Sequence, residues 1–147
     1  MSTSAITDQF VGTYALRSFE VRRSDGSIAY PFGHDAVGRI TYDEAGRIAV
    51  QIMRLDRPPF ASGDMLSGTS DEVAAAWTGF LSYAGRYEVN DAAGTVTHQI
   101  EMCPFPNWVG EAQVRHFQFD GSMLDLTTPP VAYGGDFAVG ALVWERA

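Results

Sequence analysis

A histidine and an arginine stand among apolar residues in two neighbouring stretches of the sequence, and both could take part in chemistry. His98 lies on the apolar face of the alternating stretch TVTHQIEM, residues 95–102, and Arg115 lies on the apolar face of EAQVRHFQFD, residues 111–120. Successive side chains of a β-strand point to opposite faces, so this alternation predicts that His98 and Arg115 face the interior. Imidazole exchanges protons near neutral pH, and a buried guanidinium needs an oxygen partner. The two stretches therefore predict a cavity with polar anchors.

Other side chains join this candidate site when the remaining strands are interpreted in the same way. Three tyrosines are predicted to face inward, as is Glu20 together with Ser18 on the first strand. A polar cluster inside an aromatic-walled pocket is the usual composition of a small-molecule site. The predicted ligand-binding residues are Glu20, Tyr42, Tyr83, Tyr87, His98, Trp108, Arg115 and Phe117.

Two of these residues have a structural interpretation beside the functional one. Arg115 is costly to bury without a partner, so it pairs either with Glu20 inside the protein or with an anionic or carbonyl group of a ligand. Trp108 lies in the loop CPFPNWVG, residues 103–110. It is either a lid over the mouth of the cavity or an anchor that packs the loop against the core.

Three functional hypotheses follow from this set. In a binding protein, His98 and Arg115 hold the polar end of a small, largely apolar or amphipathic molecule. In a cofactor-independent enzyme, such as an isomerase, cyclase, hydratase or lyase acting on a natural-product or aromatic intermediate, His98 transfers the proton. Arg115 or Tyr87 then stabilises the oxyanion. A structural or interaction domain, with its interior filled by side chains, is the third.

Composition argues against several other classes. The chain has 147 residues and a net charge of −8, and it shows no basic patch of the kind that nucleic acids or anionic membranes require. The histidines at positions 34, 98 and 116 lack the spacing of metal ligands, and no phosphate-binding or dinucleotide-binding motif is present, so neither a metal nor a cofactor is predicted. Cys103 has no second cysteine to pair with, which fits a reducing compartment.

The first residues, the charge and the hairpin edges bear on location and oligomeric state. Its first residues, MSTSAITDQF, show neither a basic segment nor an apolar one, so a cytoplasmic location is expected. Residues 1–8 are small and polar and are predicted to be a frayed lead-in. Charge and hairpin edges leave both a monomer and a homodimer open.

The elements that position the candidate site are predominantly β-strands. Alternating apolar residues and glycine-rich or proline-rich turns predict about eight strands in sequential hairpins. They run over residues 12–22, 38–42, 47–53, 82–89, 95–102, 113–120, 123–128 and 137–146. Closure removes the exposed edges of such a meander, so the sequence predicts an antiparallel up-and-down β-barrel over residues 10–146, in one domain that spans residues 1–147.

One helix interrupts the strands, and it is predicted over residues 71–81. Thr69 and Glu72 match a capping box, in which each side chain accepts a hydrogen bond from the backbone of the other residue. Apolar residues then recur at three- and four-residue spacing and predict a single stripe that faces the core. The stripe consists of Val73, Ala76, Trp77, Phe80 and Leu81.

The order and spacing of short motifs resemble the bacterial lipocalin-like domain family. These motifs are GTY at 12–14, YPFG at 30–33, Tyr42 with GR at 46–47, RP at 57–58, FASGD at 60–64, GRYE at 85–88, FPNWVG at 105–110 and LVWER at 142–146. The resemblance implies an antiparallel barrel around a pocket, in a group that includes both binding proteins and cofactor-free enzymes. Lipocalins proper open with Gly-x-Trp, paired with an arginine on the last strand that closes the barrel base. Gly12, Tyr14 and Arg146 would take those places, with tyrosine replacing the usual tryptophan.

Overall fold

The computed structural model describes residues 5–147 of the chain. Within that range two helices, α1 and α2, and ten strands, β1 to β10, follow one another. In chain order they are α1 (Ala5–Phe10), β1 (Gly12–Arg23), β2 (Ile28–Ala29), β3 (Val37–Tyr42), β4 (Arg47–Met53), α2 (Ser70–Thr78), β5 (Phe80–Asn90), β6 (Thr95–Met102), β7 (Ala112–Asp120), β8 (Met123–Thr127), β9 (Val131–Tyr133) and β10 (Asp136–Arg146). A short 3-10 turn spans Pro106–Trp108.

Eight of these strands close into an antiparallel barrel, as the sequence predicts. The neighbours run in the order β1-β3-β4-β5-β6-β7-β8-β10, and β10 pairs back onto β1. The two short strands β2 and β9 extend β1 and β10 beyond this ring. Closure leaves no free edge among the eight, which suits a meander built from hairpins.

The lower end of the barrel is closed by α1 and the ends of β1 and β10. Phe10 is fully buried, and its ring packs edge-on against Tyr42, Phe117 and Phe119 at centroid distances near 5 Å. The helix corrects the expectation of a frayed lead-in for residues 5–8, while residues 1–4 lie outside the described part of the chain. A segment that looks polar by composition is helical because Phe10 anchors it in the core.

Arg146 ties this end together, as the resemblance to lipocalins implies. Its guanidinium lies 4.7 Å from the centre of the Tyr14 ring and donates to the Tyr14 hydroxyl and to the carbonyls of Gln9 and Val11. Gly12 has a φ of +143°, and a Cβ there would lie 2.5 Å from Arg146 Nη1. Glycine is therefore required where the arginine crosses the first strand.

A β-bulge in β1 overturns the predicted orientation of Glu20. Tyr14 and Leu16 are buried, but the register against β10 shifts between Leu16 and Ser18, after which Phe19 and Val21 face the interior. Because one extra residue reverses the alternation, Glu20 points outward. It forms an ion pair with Arg22 there, so Glu20 is not the internal partner that was one of the two alternatives for Arg115.

The helix α2 is shorter and more exposed than its sequence pattern predicts. The capping box of Thr69 and Glu72 is confirmed, but the helix ends at Thr78, and the last two residues of the predicted stripe belong to β5. Val73 and Trp77 are 50% and 52% exposed, and α2 contains no buried residue. The apolar residues at helical spacing thus do not form a core stripe. No helix in residues 5–147 has the length and apolar character needed to cross a membrane.

Candidate functional site

The upper half of the barrel encloses a cavity of about 800 Å³. Its walls are mainly aliphatic and aromatic, with contributions from β1, β4, β8 and β10, for example Val21, Ile52, Leu126 and Leu142. Bulky side chains such as Phe10, Tyr14 and Tyr42 fill the lower half instead. A volume of this size lies within the range of pockets that hold small organic molecules.

A hydrogen-bonded chain of three side chains lies beneath and beside the cavity, and we call it the Tyr–His–Tyr chain. Its members are Tyr42 on β3, His98 on β6 and Tyr83 on β5. The Tyr42 hydroxyl lies 2.7 Å from His98 Nε2, and the Tyr83 hydroxyl lies 2.7 Å from His98 Nδ1. His98 and Tyr83 line the cavity, whereas Tyr42 lies below them towards the closed end.

Burial keeps all three members of the chain uncharged at neutral pH. His98 is 1% exposed, and burial together with the positive charge of Arg115 holds its pKa well below the ordinary 6.5. Burial raises the pKa of Tyr42 well above 10.0, and it also raises the pKa of Tyr83, although the charge of Arg115 opposes the second rise. The imidazole therefore carries one N–H and one bare nitrogen, and both nitrogens are engaged by tyrosines.

Arg115 supplies the positive charge of the cavity wall. Its guanidinium donates to Gln113 Oε1 at 2.7 Å and to the backbone carbonyl of Val114 at 3.1 Å. Among residues 5–147 no carboxylate lies within ion-pair distance of it. A guanidinium has five N–H donors, so donors remain for an oxygen atom inside the cavity.

Trp108 both anchors its loop and lines the cavity. Its ring contacts Tyr83 edge-on at 6.5 Å and Phe105 at 5.5 Å, so it packs the loop against the barrel. It also lines the cavity and an adjoining hollow of about 250 Å³, which reaches Trp77 on α2. The ring therefore belongs both to the packing of the loop and to the cavity wall.

The structure brings together Tyr83, His98, Trp108 and Arg115 of the predicted site, and it places the other members elsewhere. Tyr87 donates its hydroxyl to the Asp43 carbonyl at 2.8 Å and does not line the cavity, so it is not available as an oxyanion donor. Phe117 packs against Phe10 in the closed end. Alternation gave Tyr87 and Phe117 the correct face of the sheet, but not their depth along the barrel. The residues outside the cavity wall are Glu20, Tyr42, Tyr87 and Phe117.

Several residues of the cavity wall were not predicted. Gln113 shares the inward face of β7 with Arg115, and this i, i+2 relationship was a signal that could have identified it. Glu111, which directly precedes that strand, also lines the cavity. Phe19 and Val21 were not predicted because the bulge reverses the alternation before them. The extra residue that causes this reversal is not visible in the sequence pattern.

This arrangement is better suited to holding a molecule than to moving its protons. A general base needs a lone pair within reach of the proton that it removes, but both His98 nitrogens are already bonded and its pKa is low. The geometry therefore does not favour the enzymatic hypothesis. Within residues 5–147, no three His, Cys, Asp or Glu side chains converge as metal ligands would.

Comparison with known proteins agrees with the barrel and its cavity. A family model described as a lipocalin-like domain matches residues 11–147. The chain is 35% identical over 106 residues to the 4'-hydroxy-3'-methoxypropiophenone carrier protein ppsC of Aspergillus oryzae, an alignment that covers 67% of this chain and 96% of that protein. No solved structure shows significant similarity to the sequence. The fold, the closed barrel base and the match over residues 11–147 together show that the chain belongs to the lipocalin-like domain family.

Proposed function

We propose that this protein binds a small, largely apolar molecule in the barrel cavity and holds a carbonyl or anionic oxygen of that molecule against Arg115. The observation that carries the proposal is a guanidinium in the wall of an apolar cavity of about 800 Å³, with no carboxylate partner among the described residues. Desolvating a guanidinium costs free energy, which an oxygen of the ligand would recover.

The relative from Aspergillus oryzae supports the same class of ligand. Its name identifies it as a carrier of 4'-hydroxy-3'-methoxypropiophenone, an aromatic ketone. Such a molecule has an aromatic ring, whose faces suit the aliphatic walls, and a carbonyl oxygen, which suits Arg115. We therefore infer that aryl ketones and compounds of similar shape are the first ligands to test.

The experiment is a titration of the protein with 4'-hydroxy-3'-methoxypropiophenone, in which isothermal titration calorimetry measures the Kd. The variant Arg115→Met should raise the Kd by about tenfold or more, because a hydrogen bond to a charged group is worth roughly 1.5–3 kcal/mol. Arg39→Met is the matched control, since Arg39 is exposed on the outer face of β3 and should leave the Kd unchanged. Tight binding that survives Arg115→Met unaltered would contradict the assigned role of the arginine.

A further inference from the structure

The Tyr–His–Tyr chain can be hydrogen-bonded in two directions, and the direction decides what Tyr83 offers to the cavity. A neutral imidazole has one N–H, so His98 donates to one tyrosine and accepts from the other. If Tyr83 donates to His98, its lone pairs face the ligand. If His98 donates to Tyr83, the hydroxyl hydrogen of Tyr83 is left for the ligand.

Tyr42 decides between the two directions. It is 1% exposed, and within residues 5–147 the only hydrogen-bond partner of its hydroxyl is His98 Nε2. If His98 donated to Tyr42, the hydroxyl hydrogen of Tyr42 would be buried among aromatic rings without an acceptor. An unsatisfied buried donor is costly, so Tyr42 donates to Nε2.

The remaining proton positions follow from that assignment. His98 Nε2 is an acceptor, so the N–H lies on Nδ1 and donates to the Tyr83 oxygen. The positive charge of Arg115 acts on the same hydroxyl and favours the orientation in which its oxygen accepts. No second acceptor among the described residues is within hydrogen-bond distance of Tyr83, and its hydroxyl hydrogen is free to point into the cavity.

We propose that the Tyr–His–Tyr chain fixes Tyr83 as a hydrogen-bond donor to the ligand, so that Tyr83 and Arg115 together select an oxygen that only accepts, such as a ketone carbonyl. The ligand half of this inference rests on the proposed function. Tyr83 touches the ligand, whereas His98 and Tyr42 are positioning residues that act through it. A hydroxyl group at the same place would bring a hydrogen of its own. Arg115 has no lone pair for it, and the Tyr83 oxygen already accepts from His98 Nδ1 and faces the charge of Arg115, so alcohols are disfavoured.

The tautomer of His98 tests the direction of the chain without any ligand. Full-length protein labelled with 15N-histidine should show His98 with a protonated Nδ1 and a bare Nε2, assigned by two-bond couplings to the ring hydrogens. The variant Tyr42→Phe should shift the Nε2 resonance, because that nitrogen loses its donor, while Tyr87→Phe should leave both resonances in place. A proton on Nε2 in the unaltered protein would overturn the inference, whether or not the protein binds a ketone.

A matched pair of probes tests the selection itself. Propiophenone and 1-phenylpropan-1-ol differ by a carbonyl against a hydroxyl on the same skeleton, and the ketone should bind about tenfold more tightly. In Tyr83→Phe this preference should fall to about twofold or less, whereas the control variant Tyr87→Phe should retain it.

The outcomes of this comparison separate the two proposals. Equal binding of the two probes, or tighter binding of the alcohol, would overturn the selection while leaving the binding function intact. Failure of both probes to bind would overturn the proposed function for this ligand class, and the selection with it. The tautomer measurement would still report on the chain in either case.

Discussion

Lowering the pH from 7.5 to 5 is expected to destabilise the folded barrel through His98. Burial holds the pKa of this histidine well below 6.5 in the folded protein, whereas the unfolded chain titrates near 6.5. Between those two values the unfolded state binds one proton more than the folded state. Protonation therefore draws the equilibrium towards unfolding, and stability falls as the pH falls below about 6.5.

The size of the effect follows from that single proton. Its limiting slope is about 1.4 kcal/mol per pH unit, and because the unfolded chain titrates near 6.5, the upper limit of the loss between pH 7.5 and pH 5 is about 2 kcal/mol. Surface carboxyl groups whose pKa is lowered by hydrogen bonds in the fold, such as Asp43 and Glu72, contribute stability that is lost only nearer their ordinary values of 3.8 and 4.5. The window above pH 5 is therefore dominated by His98.

Urea unfolding, monitored by tryptophan fluorescence at several pH values between 5 and 7.5, measures this loss of free energy of unfolding. His98→Gln should lower the free energy of unfolding at pH 7.5 and should flatten its pH dependence across the window. His116→Asn is the matched control, because His116 is exposed on the outer face of β7, and it should keep the slope. A flat profile for the unaltered protein, or a slope that persists in His98→Gln, would refute the reasoning.

Three further predictions concern the scaffold, and urea unfolding measures each of them. Gly85→Ala should cost more than about 3 kcal/mol because its Cβ would lie 1.8 Å from the Gln99 carbonyl oxygen, whereas Gly63→Ala, which meets nothing within 4 Å, should be close to neutral. Trp77→Ser should change the free energy of unfolding by less than about 1 kcal/mol because the ring is half exposed, and a larger loss would show that α2 does pack on the core. Arg146→Met should cost about 1–2 kcal/mol through the lost hydrogen bonds at the barrel base, and an unchanged midpoint would contradict that closure.

Local pattern was sufficient to predict the eight strands of the barrel and the inward faces of His98 and Arg115. Alternation reports the face of a strand directly, because successive side chains must point in opposite directions. The capping box at Thr69 and Glu72 was equally local, since both of its hydrogen bonds span three residues. Features that depend only on residues a few positions apart in the chain could thus be predicted from the sequence.

The position of a residue along the barrel could not be predicted in the same way. Tyr83 and Tyr87 lie on the same face of β5, yet only Tyr83 reaches the cavity, while Tyr87 is bonded to the Asp43 carbonyl. The bulge in β1 likewise turned Glu20 outward, although nothing in the alternation marks the extra residue. Depth and register depend on how β1 pairs with β10, more than a hundred residues away along the chain.

The sequence by itself determined that a histidine and an arginine would face the interior of a β-barrel. Only the tertiary structure decided that Tyr42 and Tyr83 bond the two nitrogens of His98, and that Arg115 has no carboxylate of residues 5–147 within ion-pair distance. The physical reason is that hydrogen-bond partners are set by distances across the barrel interior, where residues far apart in sequence meet at 2.7 Å. Alternation fixes direction along one strand, but closure of the sheet sets those distances.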